Sequence, residues 1–116
     1  MNKYLILYQA KQAPGGISVA EMLARSTPEQ MQAGMEAWRR WTEKAGDAIV
    51  DRGAPLDRST TIMGGSATAT RTSITGYSIL QAESMDAAVA LMKDHPHFHI
   101  PEAEVQILEC VPMPGF

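Results

Sequence analysis

Two hydrophobic periodicities run along this chain, and they divide it into strands and helices. Tyr4–Leu5–Ile6–Leu7–Tyr8 is short, aromatic and aliphatic, and predicts a first strand over residues 3–8. Turn-prone Pro14–Gly15–Gly16 closes it further on, and Ser18 offers a cap for two helical turns between Ile17 and Arg25. Met31, Met35, Trp38, Thr42 and Ala45 then recur at spacings of three and four. That spacing predicts an amphipathic helix with this stripe turned inward and Trp41 on its flank. Its start is marked by Thr27–Pro28–Glu29–Gln30, where Thr27 can cap, Pro28 suits the first helical position and Gln30 completes a capping box. Gly46 ends it.

Ala48–Ile49–Val50 predicts a short strand, closed by Arg52–Gly53–Ala54–Pro55, and Thr60–Met63 another, broken by Gly64–Gly65. Ser66 to Thr75 is poor in core-forming residues and reads as a loop or hairpin. Tyr77–Ala82 predicts a strand, and Ser84 caps a second helix over 85–93 with Met85, Ala88, Val89 and Met92 inward. Asp94 and Pro96 bound that helix. Glu104–Val111 is the last strand, and the tail 111–116, with Pro112 and Pro114, cannot extend a ladder.

The element order β, α, β, β, β, α, β, with one extra edge piece, predicts a ferredoxin-like α+β sandwich. Two helices then cover one face of an antiparallel sheet. Residues 1–116 form one such domain. The second sheet face, with Tyr77–Leu80 and Val105–Leu108 contributing, is too apolar to be left to water. A twofold homodimer with its sheets face to face is the simplest remedy.

Composition narrows the partners. With 45% hydrophobic and 20% charged residues, the chain of 116 can bury one ordinary globular core. The net charge is −3 and no basic stripe appears, which argues against nucleic acid or an anionic membrane as a partner. Arg39–Arg40 reads as the solvated side of a helix. A single cysteine, Cys110, excludes an internal disulfide and fits a reducing compartment; it is expected as a small apolar residue in the last strand. The first apolar run is too short for a membrane span or a signal segment, so a cytoplasmic location is expected.

Three segments, Gly46–Asp47–Ala48–Ile49–Val50–Asp51–Arg52–Gly53–Ala54–Pro55–Leu56, Gly76–Tyr77–Ser78–Ile79 and Asp94–His95–Pro96–His97–Phe98, followed by a closing strand with Val105, resemble the YCII-related family. The resemblance runs from the first strand to Val111 and implies a dimeric α+β barrel. That superfold also hosts heme-degrading enzymes, cofactor-free monooxygenases and lactone isomerases, so the fold does not choose a chemistry. Some YCII-related proteins carry a proposed pair: a His on the first long helix and an Asp just before a Pro after the second helix. His95 stands at the Asp position here. Counted back from Gly53 without a gap, the helical position falls on Glu36, and with one gap on Ala37. A swapped pair would be Glu36 with His95, although the stripe turns Glu36 towards solvent.

His95 is the leading candidate for chemistry. It follows a helix C-terminus, which favours imidazolium, and precedes a rigid proline. Its bland role is to cap the last helical carbonyls. His95, His97 and His99 alternate, so an extended chain would line them on one face as a metal site, though a polar loop is the simpler reading. Asp51 can bond a ligand or cap its own turn, the latter being the commoner role. Trp41 can wall a cleft between helix and sheet. No phosphate loop or dinucleotide fingerprint is present and no cofactor is implied. The preferred function is a homodimer binding a small molecule in that cleft, with Asp51, Trp41 and His97 as ligand contacts. The alternative is a cofactor-independent enzyme of lyase, isomerase or dehydrochlorinase type, using His95 as acid or base.

Overall fold

The structure, a computed structural model, describes residues 1–10, 24–100 and 102–115. Its elements are β1 (Asn2–Gln9), α1 (Pro28–Ala45), β2 (Ile49–Pro55), β3 (Ser59–Met63), β4 (Ser66–Thr70), β5 (Ile74–Ala82), α2 (Met85–Met92) and β6 (Glu104–Glu109). Short 3-10 turns lie at Gly46–Ala48 and Pro96–His99. The expected helix over 17–25 lies outside the described residues except for its last two, and the Gly15–Gly16 turn lies wholly outside them.

An antiparallel sheet runs in the order β2-β5-β1-β6, as expected for a ferredoxin-like arrangement. Its register sorts the side chains by face. Tyr4, Ile6 and Tyr8 of β1 stand beside Leu80, Ser78 and Gly76 of β5, and beside Glu109, Ile107 and Val105 of β6. This face meets both helices. Trp41 and Ala45 of α1 and Ala88 and Met92 of α2 join Tyr4, Ile6, Tyr8, Leu80 and Ala82 in one core. The other face carries Leu5, Leu7, Tyr77, Ile79 and Leu108, and no described helix covers it. Among the described residues no helix is long and apolar enough to cross a membrane.

Helix α1 starts as its sequence dictates. Thr27 Oγ1 accepts the Gln30 N–H at 3.1 Å, and the Gln30 side chain accepts the Thr27 N–H at 3.0 Å. Its buried stripe, however, is rotated from the expected one. Trp41 and Ala45 are buried, whereas Met31, Met35 and Trp38 are exposed. The helix touches the sheet with its C-terminal half, so Trp41 is a core residue and Trp38 stands at the rim. The Trp41 indole Nε1–H donates to the Leu91 carbonyl on α2 at 3.3 Å, which fixes the two helices together.

Helix α2 is capped by the Ser84 hydroxyl, which accepts the Ala87 N–H at 3.1 Å. Of its expected inward residues Ala88 and Met92 are buried and Met85 is exposed. Cys110 lies past the end of β6 and is exposed, its N–H donating to the Lys3 carbonyl. The register with β1 ends at Tyr4↔Glu109, so Cys110, expected within the last strand, lies one residue beyond it.

The strand expected at Thr60–Met63 is present as β3, and the loop or hairpin expected after it supplies β4; the two pair with each other as a hairpin and do not add an edge piece to the four-stranded sheet. Gly64 and Gly65 are both at positive φ, as a two-residue type I′ turn requires. Gly53 is needed for a different reason. Its φ is +73°, and a Cβ there would lie 1.7 Å from the Tyr77 carbonyl oxygen, where β2 bulges against β5.

Candidate binding site

The end of β1, the middle of β5, α1 and the segment after α2 converge on a cluster of rings. Tyr8 reaches it because it is the last helix-facing residue of β1. Opposite it is Gly76, where a Cβ would lie 3.3 Å from the Ala54 carbonyl oxygen and 3.4 Å from the Tyr8 ring. His95 reaches it because Pro96 opens the 3-10 turn, and His95 caps that turn. It therefore caps the N-terminus of the following turn, not the carbonyls of the helix before it. Trp38 and Trp41 approach His95 edge-on, with centroids 4.3 and 4.4 Å away, and Tyr8 lies 5.0 Å away.

A directed chain of polar atoms runs through these rings. The Ser78 hydroxyl donates to the Arg52 carbonyl at 2.8 Å. Ser78 Oγ then accepts from the Tyr8 hydroxyl at 3.0 Å. Tyr8 Oη faces His95 Nε2 across a long 3.5 Å contact. At the far end His95 Nδ1 accepts the His97 N–H at 2.9 Å. Arg52 C=O can only accept and His97 N–H can only donate, so both ends are pinned. The neutral ring thus carries its proton on Nε2, pointing at Tyr8.

Burial sets the electrostatics. His95 is 1% exposed. Desolvation, with a smaller contribution from His97, pushes its pKa down to about 4, and the nearby Asp94 only partly opposes this. The expected imidazolium at a helix end is therefore overruled. Burial likewise raises the Tyr8 pKa, against the opposing hydrogen bond to Ser78. At neutral pH the cluster is uncharged. Among the described residues every buried side-chain nitrogen and oxygen has a partner.

The other expected site residues are scattered. Glu36 is held by Arg39 at 2.7 Å and Arg40 at 3.5 Å on the outer side of α1. The hydrogen bond from Arg39 is the main cause that lowers its pKa. His95 is not among its partners. Asp51 Oδ1 accepts the Gly53 N–H at 2.8 Å, capping its own turn, and is paired with Ile79 of the open sheet face. His97 is buried, and its Nε2–H is shared between the carbonyls of Gln9 at 2.9 Å and Glu104 at 3.1 Å. It joins the end of β1 to the start of β6. His99 is exposed.

The three histidines do not share a face, because 96–99 is a 3-10 turn and not an extended segment. Among the described residues no three His, Cys, Asp or Glu side chains gather to hold a metal. Trp38, Tyr8 and Ser78 were not singled out as site residues by sequence reasoning. The signal for Tyr8 and Ser78 was strand parity, which places both on the helix-facing side once the pairing is known. A separate open depression of about 310 Å³ is lined by Gln9, Glu104, Val105 and Gln106.

Comparison with protein-family models finds none that matches the chain, and comparison with curated proteins finds no relative. What the site can do must therefore be read from its atoms. A general base needs a free lone pair and a pKa near the working pH. His95 Nδ1 is occupied by a backbone N–H, and a pKa of about 4 leaves the ring a weak base. The arrangement is suited to present a rigid, neutral, aromatic floor.

Proposed function

We propose that this chain is a small-molecule binding module of YCII-related type, working as a homodimer joined through the open sheet faces. The ligand lies in the cleft between α1 and the sheet, against Trp38. One observation carries this reading. Trp38 is 38% exposed while its ring stands edge-on to both Tyr8 and His95, which are buried. A half-bare indole on a locked aromatic base can stack a flat ligand with little ordering cost. The neutral cluster beneath favours an uncharged or weakly polar ring over an anion or cation. The dimer reading is supported by Leu5, Leu7, Tyr77, Ile79 and Leu108 on a sheet face that no described helix covers.

The test is a screen of small flat heteroaromatic compounds by ligand-observed NMR with the full chain, then Trp38→Ala. A set of weak binders whose signals recover in the Trp38→Ala protein is expected. If no compound binds, or if binders ignore the substitution, the reading fails.

A further inference from the structure

The β3–β4 hairpin is unlike the rest of the molecule. Apart from the partly buried Ser59, its strand residues are exposed, and none belongs to the core. A free two-stranded hairpin is marginal in water at best. Exposed β edges are ordinarily protected by Lys, Pro, a bulge or a covering element. This one has five regular pairs from Ser59↔Thr70 to Met63↔Ser66, with no shift of register. Ser59–Thr70 also contains no charged residue and no proline, in a chain that is 20% charged. Its two faces differ. One carries Ser59, Thr61, Met63, Ser66, Thr68 and Thr70, with Thr70 Oγ1 bonded to both Ser59 and Thr61. The other carries Thr60, Ile62, Ala67 and Ala69.

The backbone shows which groups are unpaired. A two-residue turn makes Met63↔Ser66 a hydrogen-bonded pair, and antiparallel alternation then makes Thr61↔Thr68 and Ser59↔Thr70 hydrogen-bonded too. Ser66, Thr68 and Thr70 thus spend their N–H and C=O groups inside the hairpin. Those of Ala67 and Ala69 point outward from the edge of β4, with which no other described strand pairs.

We infer that β4 is a self-pairing edge, which joins the hairpins of two copies of this chain into one four-stranded sheet about a twofold axis through Thr68. The strand Ser66–Ala67–Thr68–Ala69–Thr70 reads nearly the same in both directions. Laid antiparallel on itself, it sets Thr68 against Thr68 of the partner subunit, Ala67 against Ala69 of the partner subunit, and Ser66 against Thr70 of the partner subunit. The Ala67–Ala69 pairs are the ones whose amides and carbonyls point out of the hairpin, so the register that matches the side chains also satisfies the backbone. Hydroxyls meet hydroxyls on one face, a favourable cross-strand pairing, and alanines meet on the other, where small side chains do not clash. The adjoining Arg71 falls opposite Gly65 of the partner subunit and meets no like charge. Isologous contacts of this kind need a surface that complements itself, and β4 does so better than β3, where the same operation sets Ser59 against Met63.

The test is disulfide trapping in the full chain with the native thiol removed. Thr68 is placed as a non-hydrogen-bonded pair with its symmetry mate, with Cα atoms roughly 4.5 Å apart. A disulfide spans roughly 4.4–6.8 Å. Thr61 lies on the same face one strand further out, roughly 14 Å from its mate at three strand spacings. Thr68→Cys with Cys110→Ser should convert largely to covalent dimer with oxidised glutathione at micromolar protein, and Thr61→Cys with Cys110→Ser should stay monomeric on a non-reducing gel. Ala69→Pro, which removes an outward N–H and leaves the inner ladder intact, should prevent the Thr68→Cys cross-link. Ile62→Pro, at the outward position of the other edge, should not. A free arm, or one taken by a different protein, would leave Thr68→Cys no more cross-linked than Thr61→Cys, and that result overturns the proposal. So does cross-linking that survives Ala69→Pro.

Discussion

Tyr8 and His95 lie 87 positions apart in sequence, yet the tyrosine hydroxyl and the imidazole Nε2 face each other at 3.5 Å in the centre of the molecule. The tyrosine is the link between the two pinned ends of the polar chain. Tyr8→Phe keeps the ring and removes that link, so Ser78 Oγ loses a donor and His95 Nε2–H loses its acceptor. A loss of about 1–3 kcal/mol in stability is expected from chemical denaturation, with the fold retained. An unchanged midpoint would mean that water or rearrangement supplies the missing partner.

The buried neutral His95 makes stability depend on acid. Its folded pKa, about 4, lies below the ordinary value of 6.5, so the unfolded chain binds the proton first. The contribution is complete above pH 6.5 and is lost as pH falls from there towards 4. The slope is about 1.4 kcal/mol per pH unit, and the whole loss about 3 kcal/mol. His95→Gln should lose this part of the slope. Denaturation series at several pH values for both proteins measure the difference, and parallel curves would contradict a neutral buried ring.

The two tryptophans of α1 should respond unequally. Trp41, 6% exposed and bonded to Leu91, should cost about 3–5 kcal/mol on replacement by alanine. Trp38→Ala should cost less than half of that. Thr27→Ala removes one side of the capping box and should cost about 1 kcal/mol. Thermal or urea melts rank the three, and a Trp38→Ala loss as large as that of Trp41→Ala would invert the assignment of core and rim.

Gly53→Ala tests the β2 bulge. The added methyl would meet the Tyr77 carbonyl and the backbone is at positive φ, so the strands must separate. A loss of about 3 kcal/mol or more is expected, with the Arg52 carbonyl drawn away from Ser78. A stable Gly53→Ala protein would show that the bulge relaxes freely.

Leu108→Glu probes the proposed sheet-face dimer. The side chain is half-exposed beside Leu5 on the open face. In an Ala69→Pro background, which blocks the β4 edge, a charge there should leave the core intact and shift the mass in light scattering towards the 12.6 kDa of one chain. A mass that does not change on substitution would move the contact elsewhere.

The features that the sequence determined by itself are local. Thr27–Pro28–Glu29–Gln30 specified a helix start because a capping box is closed by residues three apart. Gly64–Gly65 specified a break, and Asp51 a turn cap, for the same short-range reason. Strand runs such as Tyr4–Tyr8 and Tyr77–Ala82 declared themselves by composition and parity, and with the helices between them they implied the α+β layering seen here. The direction of the helical stripe was beyond such rules. Met31, Met35 and Trp38 have a helical period, but a period does not say how much of a helix the sheet beneath it reaches. Only the packing of the C-terminal half of α1 against β1, β5 and α2 turned Trp41 inward and left Trp38 at the rim. The histidines are the clearest case. The sequence determined that His95 precedes a proline and follows a helix. Tertiary structure decided that Pro96–His99 coils into a turn, that His95 is shut among Tyr8, Trp38 and Trp41, and that His97 bonds two strands while His99 faces water. Burial is a sum over distant contacts, and it is burial that decides whether an imidazole carries charge.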